Sequence, residues 1–385
     1  MASALSAVCL ATLSGPVIIG GGPAGASAAI ALARAGHVAT LIERNVGAKD
    51  KVCGDFLSAE AVAVVEALGV DLSTASTITG LRLVHKNRAA VTELPFVARG
   101  LSRRALDEAL LGLARAAGAA VLRGHRVTKF AQDRSRMWLD CGALGRIAAD
   151  TVFLATGKHE LHGAARSGRG GKGLVGLKMY YLLAPSQRAA IRCQVELILL
   201  AGGYAGLQLV EADRAVLCLL LPAARLRAVD GRWHNLLDSL ADESPHLRQR
   251  LTGARALLDR PLAVAGLPYG YIHAPTGCDP PGLFRVGDQA AVIGSLTGDG
   301  VALALGSGLL AARSWLAGGS CVDYHRLLAL RLLRQMRVAS AIHRFCLAKA
   351  WQPHAVTVCS LWPQAVRLAA AATRANRLTH IGYAA

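Results

Sequence analysis

Residues 17–44 read VIIGGGPAGASAAIALARAGHVATLIER, and this stretch decides the fold. A short apolar strand leads into Gly20, Gly22 and Gly25, which have the spacing G-x-G-x-x-G. A helix of small apolar residues follows, and then a second strand that ends at Glu43, 23 residues after Gly20. Such glycines allow a tight turn, a close approach of the backbone to phosphate, and contact between helix and strand. The acid is placed to accept hydrogen bonds from a ribose, so the stretch predicts a dinucleotide-binding βαβ unit.

The charge of the chain is strongly unbalanced. Its 385 residues are 53% hydrophobic, enough to bury the cores of about two domains, and they hold 43 Lys and Arg against 25 Asp and Glu. The net charge of +18 indicates an anionic partner, such as phosphates, an acidic carrier protein, nucleic acid or a membrane surface. An equally simple interpretation is a surface decorated with arginine. Half of the excess lies in residues 324–385, which contain nine Lys and Arg and no acid.

Cysteine usage and the amino terminus indicate a cytoplasmic protein. The nine cysteines are scattered and never spaced C-x-x-C, which predicts neither a disulfide framework nor a zinc site. Residues 1–15 lack the basic flank of a signal peptide and are expected to form a loose extension. No uncharged apolar run is long enough to span a membrane.

Four further segments show what kind of dinucleotide site to expect. They are GLSRRALDEALL at 100–111, VFLATG at 152–157, LFRVGD at 283–288 and SLTGDGVALAL at 295–305. In this order and at these separations they resemble the FAD-dependent family that includes p-hydroxybenzoate hydroxylase-type monooxygenases and geranylgeranyl reductases. The resemblance covers roughly residues 15–165 and 265–320, with two departures. The family's proline before the last glycine turn is missing, and Ser295 occupies that region; the first strand follows Gly15 and Pro16, where the family usually has a charged residue.

The resemblance implies a set of cofactor ligands and a role for each. The arginine that opens R-x-x-L-D lies along the cofactor, the acid of the Gly-Asp pair binds the ribityl chain, and the helix after TGDG points its positive end at the flavin. By this resemblance FAD is bound by Gly20, Gly22, Pro23, Ala24, Gly25, Glu43, Arg44, Arg103, Val127, Gly157, Gly287, Asp288, Gly298, Asp299 and Gly300. NAD(P)H is expected as a transient electron donor.

Candidate catalytic residues come from two segments. Geranylgeranyl-type reductases carry a Cys-Gly similar to Cys53-Gly54 beside the isoalloxazine ring, and the nearby Asp55 is a candidate proton donor if burial raises its pKa. Cys53 is equally well explained as a small buried hydrophobe. In PYGYIH, Tyr269 and Tyr271 resemble the aromatic motif of prenyl reductases and are candidates to line an apolar channel, or else simply pack the seam between domains.

The remainder of the chain predicts an α/β fold in three parts. A discontinuous Rossmann-type FAD-binding domain spans 1–165 and 266–322, a β-rich substrate domain is inserted at 166–265, and a basic helical segment covers 323–385. On that last segment arginines fall on one side of a helical wheel, and apolar residues including Leu333 fall on the other. It is either a helix with a solvated basic face or a peripheral contact with anionic lipid or an acidic carrier.

Several weaker patterns carry no function. GRGGKG at 168–173 follows no strand and is interpreted as a basic loop, with a small chance of touching a nicotinamide phosphate. His159 and His162 lack companion ligands, so no metal is expected, and specific nucleic-acid binding is not expected either. No Trp-x-Trp occurs, so the motif of flavin halogenases is missing.

Two reactions remain open from the sequence. The first is hydride transfer from reduced FAD to a hydrophobic small molecule, such as a prenyl, polyketide or related lipid-like compound. The alternative is NAD(P)H-dependent hydroxylation of an aromatic ring through a flavin C4a-hydroperoxide. The Cys-Gly, TGDG and Tyr-Gly-Tyr segments favour the reductase. The protein is expected in the cytoplasm, with peripheral membrane contact as an extension of that prediction.

Overall fold

The computed structural model describes residues 15–133, 136–166, 173–276, 279–374 and 378. The predicted loose extension and most of the GRGGKG loop lie outside these residues. Within them the strands are β1 Val17–Ile19, β2 Thr40–Glu43, β3 Phe56–Leu57, β4 Ser76–His85, β5 Arg88–Gly100, β6 Ala120–Arg123, β7 Lys129–Asp133, β8 Arg136–Asp140, β9 Arg146–Ala149, β10 Val152–Leu154, β11 Leu174–Leu182, β12 Cys193–Leu200, β13 Gly203–Leu209, β14 Ala215–Pro222, β15 Arg255–Ala256, β16 Leu262–Ala265, β17 Tyr271–Ile272, β18 Leu283–Arg285 and β19 Ala291–Val292. The helices are α1 Pro23–Arg34, α2 Ala59–Leu68, α3 Arg103–Ala116, α4 Pro185–Ala190, α5 Ala223–Arg227, α6 Trp233–Glu243, α7 Pro245–Leu251, α8 Gly300–Leu316, α9 Cys321–Leu347, α10 Gln352–Leu361 and α11 Pro363–Ala372.

A parallel five-stranded sheet, ordered β18-β10-β1-β2-β6, forms the nucleotide-binding part. Side chains alternate across β1, so Ile18 packs among α1, α3 and α8 while Val17 and Ile19 pack toward the three-stranded sheet β7-β8-β9. Strands buried on both faces in this way must be apolar throughout, as VII is. The chain order reverses on either side of β1, which opens a crevice at the carboxyl ends of the strands. The predicted Rossmann-type α/β fold is confirmed.

The second sheet has nine strands and is larger than the predicted substrate domain. Its order is β15-β11-β14-β13-β12-β4-β5-β3, with β16 paired to β11. Strands β11 to β16 lie within residues 166–265, the range predicted to be β-rich. Strands β3, β4 and β5 come from residues 56–100, a range assigned from sequence to the FAD-binding part. The domain boundaries stay a prediction. Residues 56–100 were assigned to the FAD-binding part, but their strands belong to the large sheet.

Alternation along β11 divides the large sheet into two faces. Val175, Leu177, Met179 and Tyr181 pack on one side against α6 and α7. Lys178 and Tyr180, two residues apart, point to the other side, toward the nucleotide-binding part. Residues 233–251 form two helices, α6 and α7, because Pro245 starts a separate helix capped by the Ser244 hydroxyl, and the chain then turns at Gly253.

The last part of the chain is helical, as predicted, and packs on both regions. Helix α9 starts at the Ser320 cap, whose hydroxyl accepts the Asp323 N–H at 3.1 Å. Its buried side includes Leu328, Leu332 and Met336, but Leu333 is 43% exposed, which corrects its predicted inward position. Adjacent residues on a helix are separated by about 100°, and on α9 this turns Leu333 outward while Leu332 faces the core. Among the described residues, no helix combines the length and apolar character needed to cross a membrane.

Candidate functional site

A cavity of about 510 Å³ opens at the carboxyl ends of the parallel strands. Residues that follow β1, β2, β10 and β18 line it, and the segment 49–54 and the strand β16 continue its wall. Its size lies within the range of small-molecule and cofactor sites. The cavity therefore occupies the crevice at which nucleotides bind in sheets of this topology.

The glycine turn has the geometry that the sequence predicts. Gly20 has φ +108°, and a Cβ on it would lie 2.5 Å from the Ala155 carbonyl oxygen. A Cβ on Gly25 would lie 2.0 Å from the Gly20 carbonyl oxygen, so this glycine lets α1 touch β1 and does not itself line the cavity. A Cβ on Gly22 would meet only the Arg103 guanidinium, at 3.3 Å. Gly22 thus presents bare backbone to the cavity at the start of α1, where the helix dipole favours phosphate.

Glu43 lies at the end of the cavity that a ribose would occupy. Its carboxylate is 5% exposed and accepts the Gly21 N–H at 2.7 Å and the Asn45 N–H at 2.9 Å. These donors fix the acid in the cavity wall with acceptor capacity left for a ligand. Arg44 and Val127 also line this end, and Arg44 Nη2 lies 2.7 Å from His159 Nε2. The exposed Arg44 is therefore held by the loop after β10.

Arg103 crosses the cavity wall above the glycine turn. Asp107 accepts two hydrogen bonds from its guanidinium, at 2.8 and 3.0 Å, and also pairs with Lys51 Nζ at 2.7 Å. Burial works to lower the pKa of Arg103, but the Asp107 carboxylate outweighs it and the pKa is raised. Asp107 therefore orients a permanently charged arginine along the cavity. Asp107 is not among the residues that the sequence predicts for the cofactor site.

The later glycine segments complete the opposite wall. Gly287 has φ +60°, and Asp288 directs its carboxylate into the cavity; among the described residues no side chain or backbone group donates a hydrogen bond to it. Free carboxylate acceptors facing a cavity suit the hydroxyl groups of a ribityl chain. Gly298 and Gly300 line the cavity where α8 begins, so the positive end of that helix faces it.

Asp299 is the exception in this segment. Its side chain is fully buried and turned away from the cavity, toward Arg374 at 3.1 Å and the Gln335 amide at 3.2 Å. Burial raises the pKa of Asp299 to about 7, and Arg374 partly opposes the rise. The structure corrects its predicted contact with the cofactor: as the cap residue of α8, Asp299 joins the glycine turn to the end of the chain.

Asp55 lies behind the cavity wall and not in it. Its carboxylate is 1% exposed and accepts hydrogen bonds from Lys178 Nζ at 2.6 Å, the Tyr180 hydroxyl at 2.5 Å and the Arg103 N–H at 3.2 Å. Burial raises the pKa of Asp55, while the Lys178 ammonium opposes the rise. Because this carboxylate does not line the cavity, the structure does not support the predicted role as proton donor. Asp55 instead anchors the loop that carries Cys53 to the large sheet.

The other three candidate catalytic residues separate in space. Cys53 and Tyr269 line the cavity. Tyr271 does not line it, and its hydroxyl lies 3.2 Å from His273 Nδ1, which corrects its predicted place in a channel. Pairing of β17 with β19 places Tyr271 opposite Val292, away from Tyr269.

An apolar section of the cavity runs past Cys53 to the edge of the large sheet. Leu262, Val264 and Leu267 line it, together with Val292 and Ile293. Tyr269 adds a polar group: its hydroxyl accepts the Ser295 hydroxyl at 3.1 Å, and Ser295 lies 2.6 Å from the Tyr204 hydroxyl. Burial raises the pKa of Tyr269 to about 12, so it stays protonated at neutral pH.

Two residues that hold the loops of the cavity in place are absent from the sequence prediction. Lys158, directly after Gly157, donates to the Val52 carbonyl oxygen at 2.6 Å and so ties the Cys53 loop to the turn after β10. Gln289, next to Asp288, donates to the carbonyl oxygens of Gly157 and His159 at 2.8 and 3.0 Å. Both stand beside predicted residues, but neither has a spacing that marks it.

These residues fit FAD. The turn offers a cradle that a Cβ at Gly22 would enter, Glu43 and Asp288 present acceptors to hydroxyl groups, and two helix N-termini face the cavity.

Comparison with known proteins agrees with this geometry. Residues 16–138 match the family model described as an FAD binding domain. A menaquinone reductase of Mycolicibacterium smegmatis is 27% identical over 330 residues, 80% of this chain and 77% of that protein. The solved structure of a flavin-dependent brominase, Bmp2, has a TM-score of 0.74 at 16% identity and covers 92% of each chain. A geranylgeranyl bacteriochlorophyll reductase-like protein from Thermoplasma acidophilum has a TM-score of 0.72 at 18% identity, over 94% of this chain and 100% of that one.

The two solved structures have the same fold as this chain. The family model indicates that residues 16–138 bind FAD. The chain is therefore similar to FAD-dependent oxidoreductases, both in its fold and in the residues that fit the cofactor.

Proposed function

We propose that the protein is a reductase that adds two hydrogens to a double bond of an apolar, lipid-like molecule. The glycine turn, Glu43 and Asp288 would hold FAD, which would supply the two-electron hydride chemistry with NAD(P)H as the reductant. A proton from the site or from water completes the addition, so that NAD(P)H and one proton are consumed for each double bond reduced.

The observation that carries the proposal is the apolar section of the cavity. It is continuous with the Gly20–Asp288 part and walled by Leu262, Val264 and Leu267. An apolar molecule held there displaces water from beside the flavin position, which protects a reduced cofactor and strengthens nearby electrostatic interactions. These side chains would contribute little binding free energy to a polar substrate, because the gain comes from removing apolar surface from water.

The chain's own polar groups in this section orient the substrate. The neutral Tyr269 hydroxyl and its Ser295 partner offer hydrogen bonds to an oxygen atom on an otherwise apolar molecule, such as a quinone carbonyl. Cys53 lies on the same wall and packs beside the core of the nucleotide-binding part. We assign Tyr269 and Ser295 to positioning a polar end of the substrate, and Cys53 to the surface beside the flavin.

The relatives' names support the reductase over the alternative. One similar protein is named a menaquinone reductase and another is geranylgeranyl bacteriochlorophyll reductase-like, which suits a lipid-like substrate. The brominase neighbour supports the fold alone, and the Trp-x-Trp motif of halogenases does not occur in the sequence.

The test is turnover of the FAD-loaded protein with and without oxygen. A short-chain menaquinone is supplied with NADH or NADPH under anaerobic conditions, and mass spectrometry follows the product. A product heavier by two hydrogens is expected. A hydroxylated product that forms only with oxygen uptake would instead establish the monooxygenase.

A matched pair of variants tests the apolar section. Val264→Arg places a charge in the cavity wall and is expected to abolish binding of the apolar substrate while FAD stays bound. Val38→Arg places the same charge at a position that is 62% exposed and is expected to change nothing. Equal substrate binding in the two variants would refute the assigned pocket.

A further inference from the structure

Exposed apolar side chains are concentrated at one end of the sequence. The described residues contain thirteen large apolar side chains that are exposed, and nine of them lie between residues 327 and 368. Leu361 is 82% exposed and Trp362 is 56% exposed, values that are unusual for side chains of this size. Grouped exposure of this kind marks a binding surface, whereas isolated apolar residues need no explanation.

The apolar residues form a connected surface. Trp351, the N-cap residue of α10, and the exposed positions His354, Val358 and Leu361 on the helix follow one another at intervals of three or four, which places them on one stripe. The Trp351 ring lies 5.7 Å from the Phe345 ring at the end of α9. The opposite side of α10, including Ala355 and Val356, packs on the large sheet. The stripe is thus left facing solvent while its helix is firmly attached.

Cations are interleaved with these residues. Arg344, Lys349 and Arg367 are exposed beside them, and the outer side of α9 adds Arg326, Arg334 and Arg337. No Asp or Glu occurs after Asp323, at the start of α9, so nothing acidic offsets this charge along the segment. We call the exposed side of α9, α10 and α11 the C-terminal face.

The C-terminal face lies close to the apolar section of the cavity. His343 is buried on α9 next to Arg344, and its ring lies 5.0 Å from the ring of Tyr269 in the cavity wall. A Cβ on Gly294, just before Ser295, would lie 3.2 Å from His343. One helix therefore touches the cavity wall with one side and presents arginine and phenylalanine to solvent with the other.

We propose that the C-terminal face binds the surface of an anionic lipid bilayer. Arginine and lysine contact the headgroups, and Trp351, Leu361 and Trp362 insert at the boundary with the acyl chains. Tryptophan favours this boundary because its ring is apolar with one polar edge. A second copy of the chain is a poor occupant, since two faces that carry only positive charge repel each other.

The inference goes beyond the proposed function, to which it adds a source of substrate: a lipid-like molecule dissolved in the bilayer would reach the cavity along α9. Its test needs no turnover, so its failure is separate from a failure of the proposed reaction.

The experiment is partition of the FAD-loaded protein onto vesicles. Vesicles of phosphatidylcholine are compared with vesicles that also contain phosphatidylglycerol, and bound protein is measured by co-sedimentation over a salt series. Binding is expected only with phosphatidylglycerol, and it should weaken as salt screens the charges. Absence of binding at low salt would overturn the proposal.

Two triple variants separate charge from insertion. Arg344→Gln, Lys349→Gln and Arg367→Gln together are expected to weaken binding about a hundredfold, roughly fivefold for each charge near the surface. Trp351→Gln, Leu361→Gln and Trp362→Gln are expected to weaken it at least about tenfold, because the inserted apolar area is lost. The matched control for charge neutralises the exposed Arg136, Arg227 and Arg260, and that for apolar area is Val38→Gln. FAD absorbance and circular dichroism check that each variant is folded.

The remaining outcomes show whether the C-terminal face binds a bilayer, an acidic macromolecule or a second copy of the chain. Loss in the controls equal to loss in the test variants would overturn a specific face. Loss in the charge variant with full binding by the apolar variant would overturn insertion and indicate an acidic macromolecule. Self-association that needs the tryptophans, without vesicle binding, would assign the face to a second copy.

Insertion has a direct optical signature. Brominated acyl chains quench tryptophans that enter the bilayer, so fluorescence should fall on binding. Trp351→Phe with Trp362→Phe should remove this quenching while leaving the half-buried Trp138, Trp233 and Trp315 as emitters. Unchanged quenching in that variant would contradict the proposed orientation.

Discussion

Replacing Lys178 with methionine tests the buried pair that joins the two regions of the molecule. Lys178 is fully buried, with its ammonium 2.6 Å from the Asp55 carboxylate and 3.0 Å from the Lys51 carbonyl oxygen. Methionine keeps most of the side-chain volume and removes the charge. Asp55 is then left with the Tyr180 hydroxyl and the Arg103 N–H as donors, and no opposite charge in contact.

The expected loss of stability follows from the cost of removing the carboxylate charge. Breaking a buried ion pair by deleting one partner costs about 3–5 kcal/mol. The protein can instead protonate Asp55, whose ordinary pKa is 3.8, and at pH 7 this sets a limit of about 4 kcal/mol at 1.36 kcal/mol per pKa unit. The two estimates agree, so we expect Lys178→Met to lower the free energy of unfolding by about 4 kcal/mol at pH 7.

The loss must also depend on pH. In the variant the pKa of Asp55 in the folded state is raised further above that of the unfolded state, so the destabilisation is absent below about pH 4 and grows as the pH rises to 7. Urea unfolding of the FAD-loaded protein from pH 4.5 to 8 measures this slope. Lys129→Met, at an exposed lysine, is the control and should show neither the loss nor the slope.

A second substitution closes the test. Asp55→Asn added to Lys178→Met removes the charge that lost its partner, and asparagine tolerates the positive φ of 56° at this position. Most of the lost stability should return, and the pH slope should vanish. A loss that does not change with pH, or a double variant no more stable than the single one, would refute the assignment of a charged Asp55–Lys178 pair.

The remaining predictions concern the cofactor site and the start of α8. Gly22→Ala should weaken FAD binding about 10- to 100-fold without changing the melting temperature of the apoprotein, because its Cβ obstructs phosphate but meets no backbone. Gly25→Ala should instead unfold the site, because its Cβ would lie 2.0 Å from a carbonyl oxygen. Asp288→Asn should weaken FAD binding about tenfold in a flavin-fluorescence titration, since it replaces one acceptor of a charged carboxylate. Asp299 has a raised pKa of about 7, so its contribution to stability is present below about pH 4 and is lost as the pH rises through 7; Asp299→Asn should remove this dependence, at most about 4 kcal/mol, in melts at pH 5 and 8.

Each of these predictions has a contrary outcome. Gly112→Ala, on the exposed side of α3, is the control for alanine substitution and should leave both FAD affinity and folding intact. Equal behaviour of the Gly22 and Gly25 variants would contradict the distinct roles given to the two glycines. Undiminished FAD affinity after Asp288→Asn would remove that carboxylate from the site, and an unchanged pH profile after Asp299→Asn would place the titrating group elsewhere.

The sequence predicted the glycine turn well because its constraints are local. Gly20, Gly22 and Gly25 lie within six residues, and the strand before them and the helix after them set their geometry. Asp55 and Tyr271 were misjudged because the direction of each side chain depends on distant strands. The residues around Asp55 do not predict that its partner is Lys178, 123 residues later. The position of Tyr271 depends on the pairing of β17 with β19.

Two other differences have the same origin. Asp299 stands between two cavity glycines, yet its side chain is drawn to Arg374, 75 residues later. The strands β4 and β5 alternate as any half-buried strands do, and that pattern does not reveal which sheet they join. Periodicity predicts that a strand exists, while its neighbours are settled by packing among segments far apart in the chain.

The contact between α1 and α8 bears on how the molecule is assembled in the cell. The Ser27 hydroxyl donates to the Leu305 carbonyl oxygen at 3.1 Å, and a Cβ on Gly308 would strike the Ala24 carbonyl oxygen at 2.1 Å. Helix α1 therefore waits for a partner that is translated some 280 residues later. Closing so long a loop is slow, and until it closes α1 exposes apolar surface to chaperones and to aggregation. The cavity is complete only after this closure, because Gly300 at the start of α8 forms part of its wall.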